Sequence, residues 1–243
     1  MKKKIKIGTW ITTYNPQVAN LMSFLGFYWI CIDMEHSVIK PDQMEILISI
    51  IQKNKSKAFV RVGKNDSHQI KQALDSGADG IIVPMVNSVE DATKSIDNTF
   101  YPPVGKRGVG LYTAQMYGFE SNKYFKIANK KIKLILQIES KVAVDNLEKI
   151  LNLKHISGTL IGPYDLSASL NLTGKLNHPL MKKYIQKYER ICKSKKIPMG
   201  IHIASPNLND VKKYKKKYNF LAAGTDIIFL GNSCKNFLEK ISF

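Results

Sequence analysis

Eight short apolar runs, rich in β-branched residues, alternate along this 243-residue chain with segments of helical period. The runs are IKIGTWI (5–11), YWICID (28–33), KAFVRV (57–62), GIIVPMV (80–86), IKLILQIE (132–139), GTLIG (158–162), IPMGIHI (197–203) and FLAAG (220–224). Nearly continuous apolar runs of this length suit strands buried on both faces, as in a parallel sheet covered by helices. Helical stripes between them include Val18/Leu21/Met22/Leu25, Ile70/Ala73/Leu74/Gly77 and Ala143/Leu147/Ile150/Leu151. Asp66, Ser88 and Ser205-Pro206 stand where helices should start, because short polar side chains cap the free N–H groups of a first turn. No linker or short repeat divides the chain. The pattern predicts one α/β domain over 1–243, a single (β/α)8 TIM barrel. A doubly wound open sheet is the alternative, but GTWITTYNP after the first strand is not the GxGxxG phosphate loop.

The formal charge is +18. A nucleic-acid binder concentrates basic residues on one element with aromatics interleaved, whereas here the lysines are spread along the chain. KKYIQKYERICKSKK (182–196), with Met181 before it, sets Tyr184, Ile185, Tyr188, Ile191 and Cys192 on one stripe and most basic residues elsewhere. That is an amphipathic helix with a solvated back. KKYKKKY (212–218) is the best candidate for a polyanion patch, yet such stretches are more often general surface. No nucleic-acid partner is expected, and the charge favours anionic substrates by long-range steering. No apolar run reaches the roughly 20 residues of a membrane span. MKKKIKIGTW lacks a signal-peptide core, so a cytoplasmic protein with no membrane partner is expected. Cys31, Cys192 and Cys234 are odd in number and show no CxxC spacing, which argues against disulfides and structural zinc.

Ionisable residues gather at the C-terminal ends of the strands: Asp33, Glu35 and His36, then Arg61, Glu139, Asp165 and His202. Lysines fall at the beginnings, as Lys57, Lys131 and Lys133. In a (β/α)8 barrel the C-terminal rim is where sites are built. Within LILQIES, strand alternation puts Leu134, Leu136 and Ile138 on one face and Ile135, Gln137 and Glu139 on the other. Gln137 and Glu139 therefore share an inward face, where polar groups must find partners or a ligand. Glu139 and Asp165 follow neighbouring strands with no Cys or His cluster beside them, which suits Mg²⁺ or Mn²⁺ with water and substrate completing the shell. No lysine sits inward near the rim for a Schiff base, and no GxSxG elbow is present. Metal, base and cation together point to polarising a carbonyl and stabilising an enolate.

These residues resemble the HpcH/HpaI aldolase family, metal-dependent class II pyruvate aldolases acting on 4-hydroxy-2-oxo acids on a barrel of the phosphoenolpyruvate/pyruvate type. The matching stretches are IDMEH (32–36), VR (60–61), ND (65–66), IKQALDSGADGIIVPMV (70–86), YPPVGKRGVG (101–110), QIES (137–140) and IGPYDLSAS (161–169), within roughly residues 7 to 232. The resemblance implies that Glu139 and Asp165 bind the metal and that Gln137, with the backbone of Gly162, Pro163, Tyr164 and Asp165, holds the 2-oxo acid. It implies His36 as general base acting through a metal-bound water, Asp33 and Asp75 shaping its basicity, and Arg61 stabilising the enolate. Small-molecule partners, a 2-oxo acid and an aldehyde, follow, as does a homo-oligomer, trimer or hexamer, that exchanges its last helices. Glu35 suits a structural salt bridge as readily as support of the base. Met34 replaces the family's Gly in Asp-Gly-Glu-His, Val62 replaces the Pro that often follows the arginine, and Tyr164 stands where a small residue is common. LYTAQMYG (111–118) departs from the family's Ala/Arg-rich continuation, which leaves aldehyde specificity open. Two other readings remain: an acyl-CoA lyase of the citrate-lyase β type, and a non-catalytic polyanion-binding barrel.

Overall fold

All eight expected runs form strands, and they pair in parallel in chain order until the last returns to the first. The computed structural model describes residues 6–204 and 207–241. Its strands are β1 (Lys6–Ile11), β2 (Trp29–Asp33), β3 (Lys57–Arg61), β4 (Gly80–Val83), β5 (Lys133–Ile138), β6 (Gly158–Ile161), β7 (Met199–Ile203) and β8 (Phe220–Thr225). Around them run α1 (Pro16–Phe24), α2 (Pro41–Lys53), α3 (Ser67–Asp75), α4 (Val89–Thr99) and α5 (Ser121–Lys131). The ring continues with α6 (Lys141–Ile150), α7 (Pro163–Ser169), α8 (Pro179–Ser194), α9 (Leu208–Tyr214) and α10 (Asp226–Ile241). Closure excludes the open-sheet alternative and makes this a (β/α)8 barrel. Asp66 and Ser88 cap α3 and α4 as expected. The Ser205-Pro206 start signal lies outside the described residues; α9 is capped by Asn207, whose side chain accepts from Asp210 N–H.

Strand alternation splits the core in two. Leu134, Leu136 and Ile138 face outward into the layer shared with the helices, whereas Ile135 joins Trp10, Trp29, Cys31, Ile82, Leu160 and Ala222 inside the barrel. Three large rings fill the lower interior: Trp29 lies edge-on to Phe59 (5.8 Å) and to Phe220 (6.0 Å). Each ring faces a glycine in register on the neighbouring strand, Trp29 with Gly8, Phe59 with Gly80 and Phe220 with Gly200. A Cβ on Gly200 would lie 2.1 Å from the Phe220 ring, and one on Gly8 2.2 Å from Trp29. The barrel thus closes around three aromatic side chains because the adjoining positions carry none.

At the upper end, Asp226 ties together the segments that follow the first and last strands. Its buried carboxylate accepts from the backbone N–H and hydroxyl of both Thr12 and Thr13, fastening the loop after β1 to the start of α10. β4 is shorter than the run GIIVPMV suggests, for Pro84 cannot donate to a ladder and Met85 turns to φ 53°. The α1 stripe is only half right: Ala19 and Met22 are buried, but Leu21 and Leu25 are exposed, together with Phe24 at 74%. Periodicity marks an apolar face without saying what covers it.

The long connection between α4 and α5 is ordered by polar contacts. Arg107 is buried against Asp75 and lies over the Tyr101 ring at 4.5 Å, and Tyr112 and Thr113 donate to the carboxylate of Glu45 on α2. The packing of the barrel interior makes a direct prediction. Gly200→Ala should lower the free energy of unfolding by about 1–3 kcal/mol, the usual cost of overpacking, seen as a lower urea midpoint.

Candidate active site

The polar end of β2 folds back over its own carboxylate. Asp33 Oδ1 accepts from the backbone N–H groups of Glu35 (3.0 Å) and His36 (3.2 Å), and the Ser37 hydroxyl donates to the Asp33 carbonyl. Such a turn, built on an aspartate side chain, stops the strand and lifts residues 34–36 onto the rim. Asp33 is paired in register with Arg61, the last residue of β3. The guanidinium donates through Nε to Oδ1 (2.9 Å) and through Nη2 to Oδ2 (2.6 Å), a fork-on-fork pair. Its Nη1 meets Glu35 Oε2 at 2.9 Å, and its face lies 4.4 Å from the Trp10 ring centroid. Burial alone would lower the pKa of Arg61; the hydrogen bonds and charge of Asp33, then the charge of Glu35, outweigh it and hold the group above its ordinary value. With side chains 11% and 3% exposed, Arg61 and Asp33 form a buried pair whose rupture would strand a charge.

Glu35 is partly buried, and burial pushes its carboxyl up to about 7, against Arg61 and with help from the charge of Glu139. His36 stands out from the rim with its side chain 65% exposed, its Nε2 3.8 Å from Glu35 Oε2. Asp33 therefore meets His36 at the backbone, while the carboxylate facing the imidazole is that of Glu35. Asp75 is not brought to this group within the chain. It closes α3, toward the start of the following strand, where its carboxylate takes Arg107. Within one chain, then, the ion pair made by Asp75 is with Arg107 and the one facing the His36 ring is with Glu35.

Across the rim, Gln137 and Glu139 point inward from β5, as alternation requires, and both are 3% exposed. Glu139 Oε1 accepts from the Met85 N–H (2.6 Å), and Oε2 accepts from the Gln137 amide. Burial raises the pKa of Glu139 and the charge of Asp165 raises it further, opposed by the bonds from Gln137 and Met85. Gly162 follows β6 as the cap of α7, with Pro163 opening the helix, Tyr164 56% exposed and Asp165 in the first turn. A Cβ on Gly162 would lie 2.9 Å from Glu139 Cβ, 3.2 Å from Glu139 Oε2 and 3.5 Å from Asp165 Oδ2. Two carboxylate oxygens thus converge on a space that only glycine leaves open. Gln137 Oε1 is buried beside them with no hydrogen-bond partner among the described residues.

This is a fit for a hard divalent cation. The donors are oxygens, the two carboxylates repel one another, and a buried acceptor is unpaired. Among the described residues no group of three or more His, Cys, Asp or Glu could hold a metal. The two halves of the rim feel each other: Glu139 raises the pKa of Glu35, and Arg61 lowers that of Glu139.

Sequence reasoning missed two participants. An indole inside a strand reads as core, so Trp10 gave no signal of its place under Arg61; the Met85 N–H is a backbone group that no side-chain pattern announces. His202, singled out only by position, lies 5.2 Å from the Trp10 ring with Nε2 3.3 Å from the Gly224 carbonyl.

Comparison with known proteins makes this barrel a carbon–carbon lyase of the aldolase class. Residues 6–237 match the HpcH/HpaI aldolase/citrate lyase family, and the chain belongs to it. It is 33% identical over 229 residues to 5-keto-4-deoxy-D-glucarate aldolase of Klebsiella pneumoniae, covering 92% of this chain and 87% of that one. Among solved structures, an HpcH/HpaI aldolase/citrate lyase family protein from Burkholderia cenocepacia superposes with a TM-score of 0.93 at 26% identity, covering 98% and 95% of the two chains. The citrate lyase beta subunit of M. tuberculosis, solved with oxaloacetate and magnesium, shares the fold at a TM-score of 0.59 and 9% identity, over 92% of each chain.

His202 supplies a test of the site's electrostatics. Burial lowers its pKa to about 4, against roughly 6.5 for an unperturbed histidine. Between those values the unfolded chain binds a proton that the folded one does not, so stability rises with pH through this window and falls as pH drops from about 6.5 to about 4. Urea titrations across that range should show a shallower acid loss for His202→Phe than for the wild type.

Proposed function

We propose that this aldolase reversibly cleaves a 4-hydroxy-2-oxo acid to pyruvate and an aldehyde, with Mg²⁺ or Mn²⁺ held by Glu139 and Asp165. The convergence of Glu139 Oε2 and Asp165 Oδ2 over Gly162 carries the reading, with the unpaired Gln137 Oε1 beside it. When bound there, the cation would polarise the 2-oxo carbonyl and share the charge of the enolate. Gln137 and the backbone from Gly162 through Pro163 and Tyr164 to Asp165 orient the 2-oxo acid. His36 accepts the proton of the 4-hydroxyl, the C3–C4 bond breaks, and its electron pair passes into the enolate while the aldehyde carbonyl forms. Asp33 takes two N–H groups of Arg61 and Glu35 only pairs with its charge, which leaves three of the guanidinium's five for the enolate oxygen. The proton held on His36 then passes to C3 of the enolate, which gives pyruvate and frees the base. The relatives' name makes 5-keto-4-deoxy-D-glucarate the first substrate to try.

Condensation of pyruvate with an aldehyde should require Mg²⁺ or Mn²⁺, stop with EDTA and return when the metal is restored. His36→Ala should cut turnover by about 100-fold or more with metal affinity little changed, whereas Glu139→Gln should weaken metal binding itself. Activity that survives full metal removal would refute the scheme, and turnover of a CoA thioester instead would move the protein to the citrate-lyase side of the family.

A homo-oligomer belongs to the same reading. Beyond Asp226, α10 is exposed along its described length, including Ile227, Leu230, Phe237 and Ile241, and the α1 face carrying Leu21, Phe24 and Leu25 is exposed as well. A second copy of this chain would cover both apolar faces, since clustered exposed apolar residues of this kind mark association surfaces. Light scattering should give a mass of several chains, and Phe24→Glu combined with Phe237→Glu should reduce it; a wild type that stays monomeric at working concentration would count against this assembly.

A further inference from the structure

Glu35 has only a holding part in this scheme, yet it is the side chain in reach of both the base and the cation. Its Oε2 is 2.9 Å from Arg61 Nη1 and 3.8 Å from His36 Nε2. The contact with Nη1 is an ion pair rather than an aligned hydrogen bond, so this buried oxygen still has capacity for a proton donor. The two partners differ in freedom. Arg61 is fixed by the Asp33 fork and the Trp10 ring, and it anchors Glu35 in turn; the imidazole of His36 is largely solvent-exposed. Asp33 spends its carboxylate on Arg61 and on backbone N–H groups, so it has no contact with the His36 ring.

We propose that Glu35 is the positioning residue of the catalytic histidine: it takes the Nε2 side of the His36 ring, turns Nδ1 toward the substrate, and ties the base to the Arg61 guanidinium. The inference rests on the aldolase reading above. A carboxylate accepting from one ring nitrogen sets the tautomer and stabilises the imidazolium once the other nitrogen takes a proton. The proton balance is simple. In cleavage the 4-hydroxyl proton moves to Nδ1 and on to C3 of the enolate; in condensation Nδ1 takes a proton from C3 of pyruvate and gives it to the aldehyde oxygen, while the Nε2 proton stays facing Glu35. Closing the gap to hydrogen-bond distance takes a small rotation of the exposed ring, with the buried carboxylate as the fixed partner. Arg61 lies on the other side of the same oxygen, so base and enolate stabiliser are held to one reference point.

The test uses the full-length protein loaded with Mn²⁺, comparing wild type, Glu35→Gln and Glu35→Asp. Exchange of the pyruvate methyl hydrogens with D₂O, followed by NMR without any aldehyde, reports enolate formation. Glu35→Gln should slow this exchange and kcat by about tenfold or more, leave the KM for pyruvate and the Mn²⁺ affinity within about twofold, and be partly rescued in Glu35→Asp. Exchange by Glu35→Gln equal to that of the wild type would overturn the inference and leave the aldolase reading standing. So would a loss confined to KM or to metal affinity, or a Glu35→Asp variant as slow as Glu35→Gln with an unchanged melting temperature. A wild type that exchanges no pyruvate hydrogen with any divalent metal would instead refute the aldolase reading, and this inference with it.

Discussion

A parallel sheet closed into a ring has no edge and sends the C-terminal end of every strand to the same rim. The rest of this structure depends on that constraint. Asp33 and Arg61 are neighbours because β2 and β3 run in register, not because they are near in sequence. Glu139 and Asp165 converge because β5 and β6 are adjacent and a glycine separates their carboxylates. Without closure, β1 and β8 would be two exposed edges, and Trp10, which supports the guanidinium from β1, would have no packed wall behind it.

The charge pattern follows the same geometry. At the N-terminal end of β3, Lys57 meets the carboxylate of Asp79 at 2.7 Å. The C-terminal rim holds Asp33, Glu35, Glu139 and Asp165 around one guanidinium, so a chain with a formal charge of +18 carries a carboxylate-rich mouth. Elsewhere a few lysines pair with nearby acids, such as Lys106 with Asp97 and Lys217 with Glu189, as expected of a solvated basic surface.

Much of this was legible in the sequence. Period-two alternation in LILQIES correctly turned Gln137 and Glu139 inward, and the sequence of apolar runs gave the strands. The legible part is the part that local physics controls. What one chain position does to a distant one was harder to read. CIDMEH puts Asp33 beside His36, but a turn that uses Asp33 Oδ1 for backbone N–H groups gives the ring to Glu35 instead. Asp75 sits in a stretch that resembles the family, but a nine-residue helix of about 1.5 Å rise per residue carries it well away from the rim. Leu21 and Leu25 have the spacing of a covered face and lie uncovered, since periodicity reports amphipathicity and not the partner.

The aromatic–glycine pairs beneath the site have a further consequence. Trp29 and Gly8, Phe59 and Gly80, and Phe220 and Gly200 each divide one fixed volume between two neighbouring strands. What the barrel floor holds constant is that sum, not the identity of either residue. Bulk could pass across a strand boundary in a paired exchange, whereas either half of the exchange alone would leave a hole or a collision. The floor can therefore change only in coupled steps, since either residue altered alone breaks the fit on which the rim above it stands.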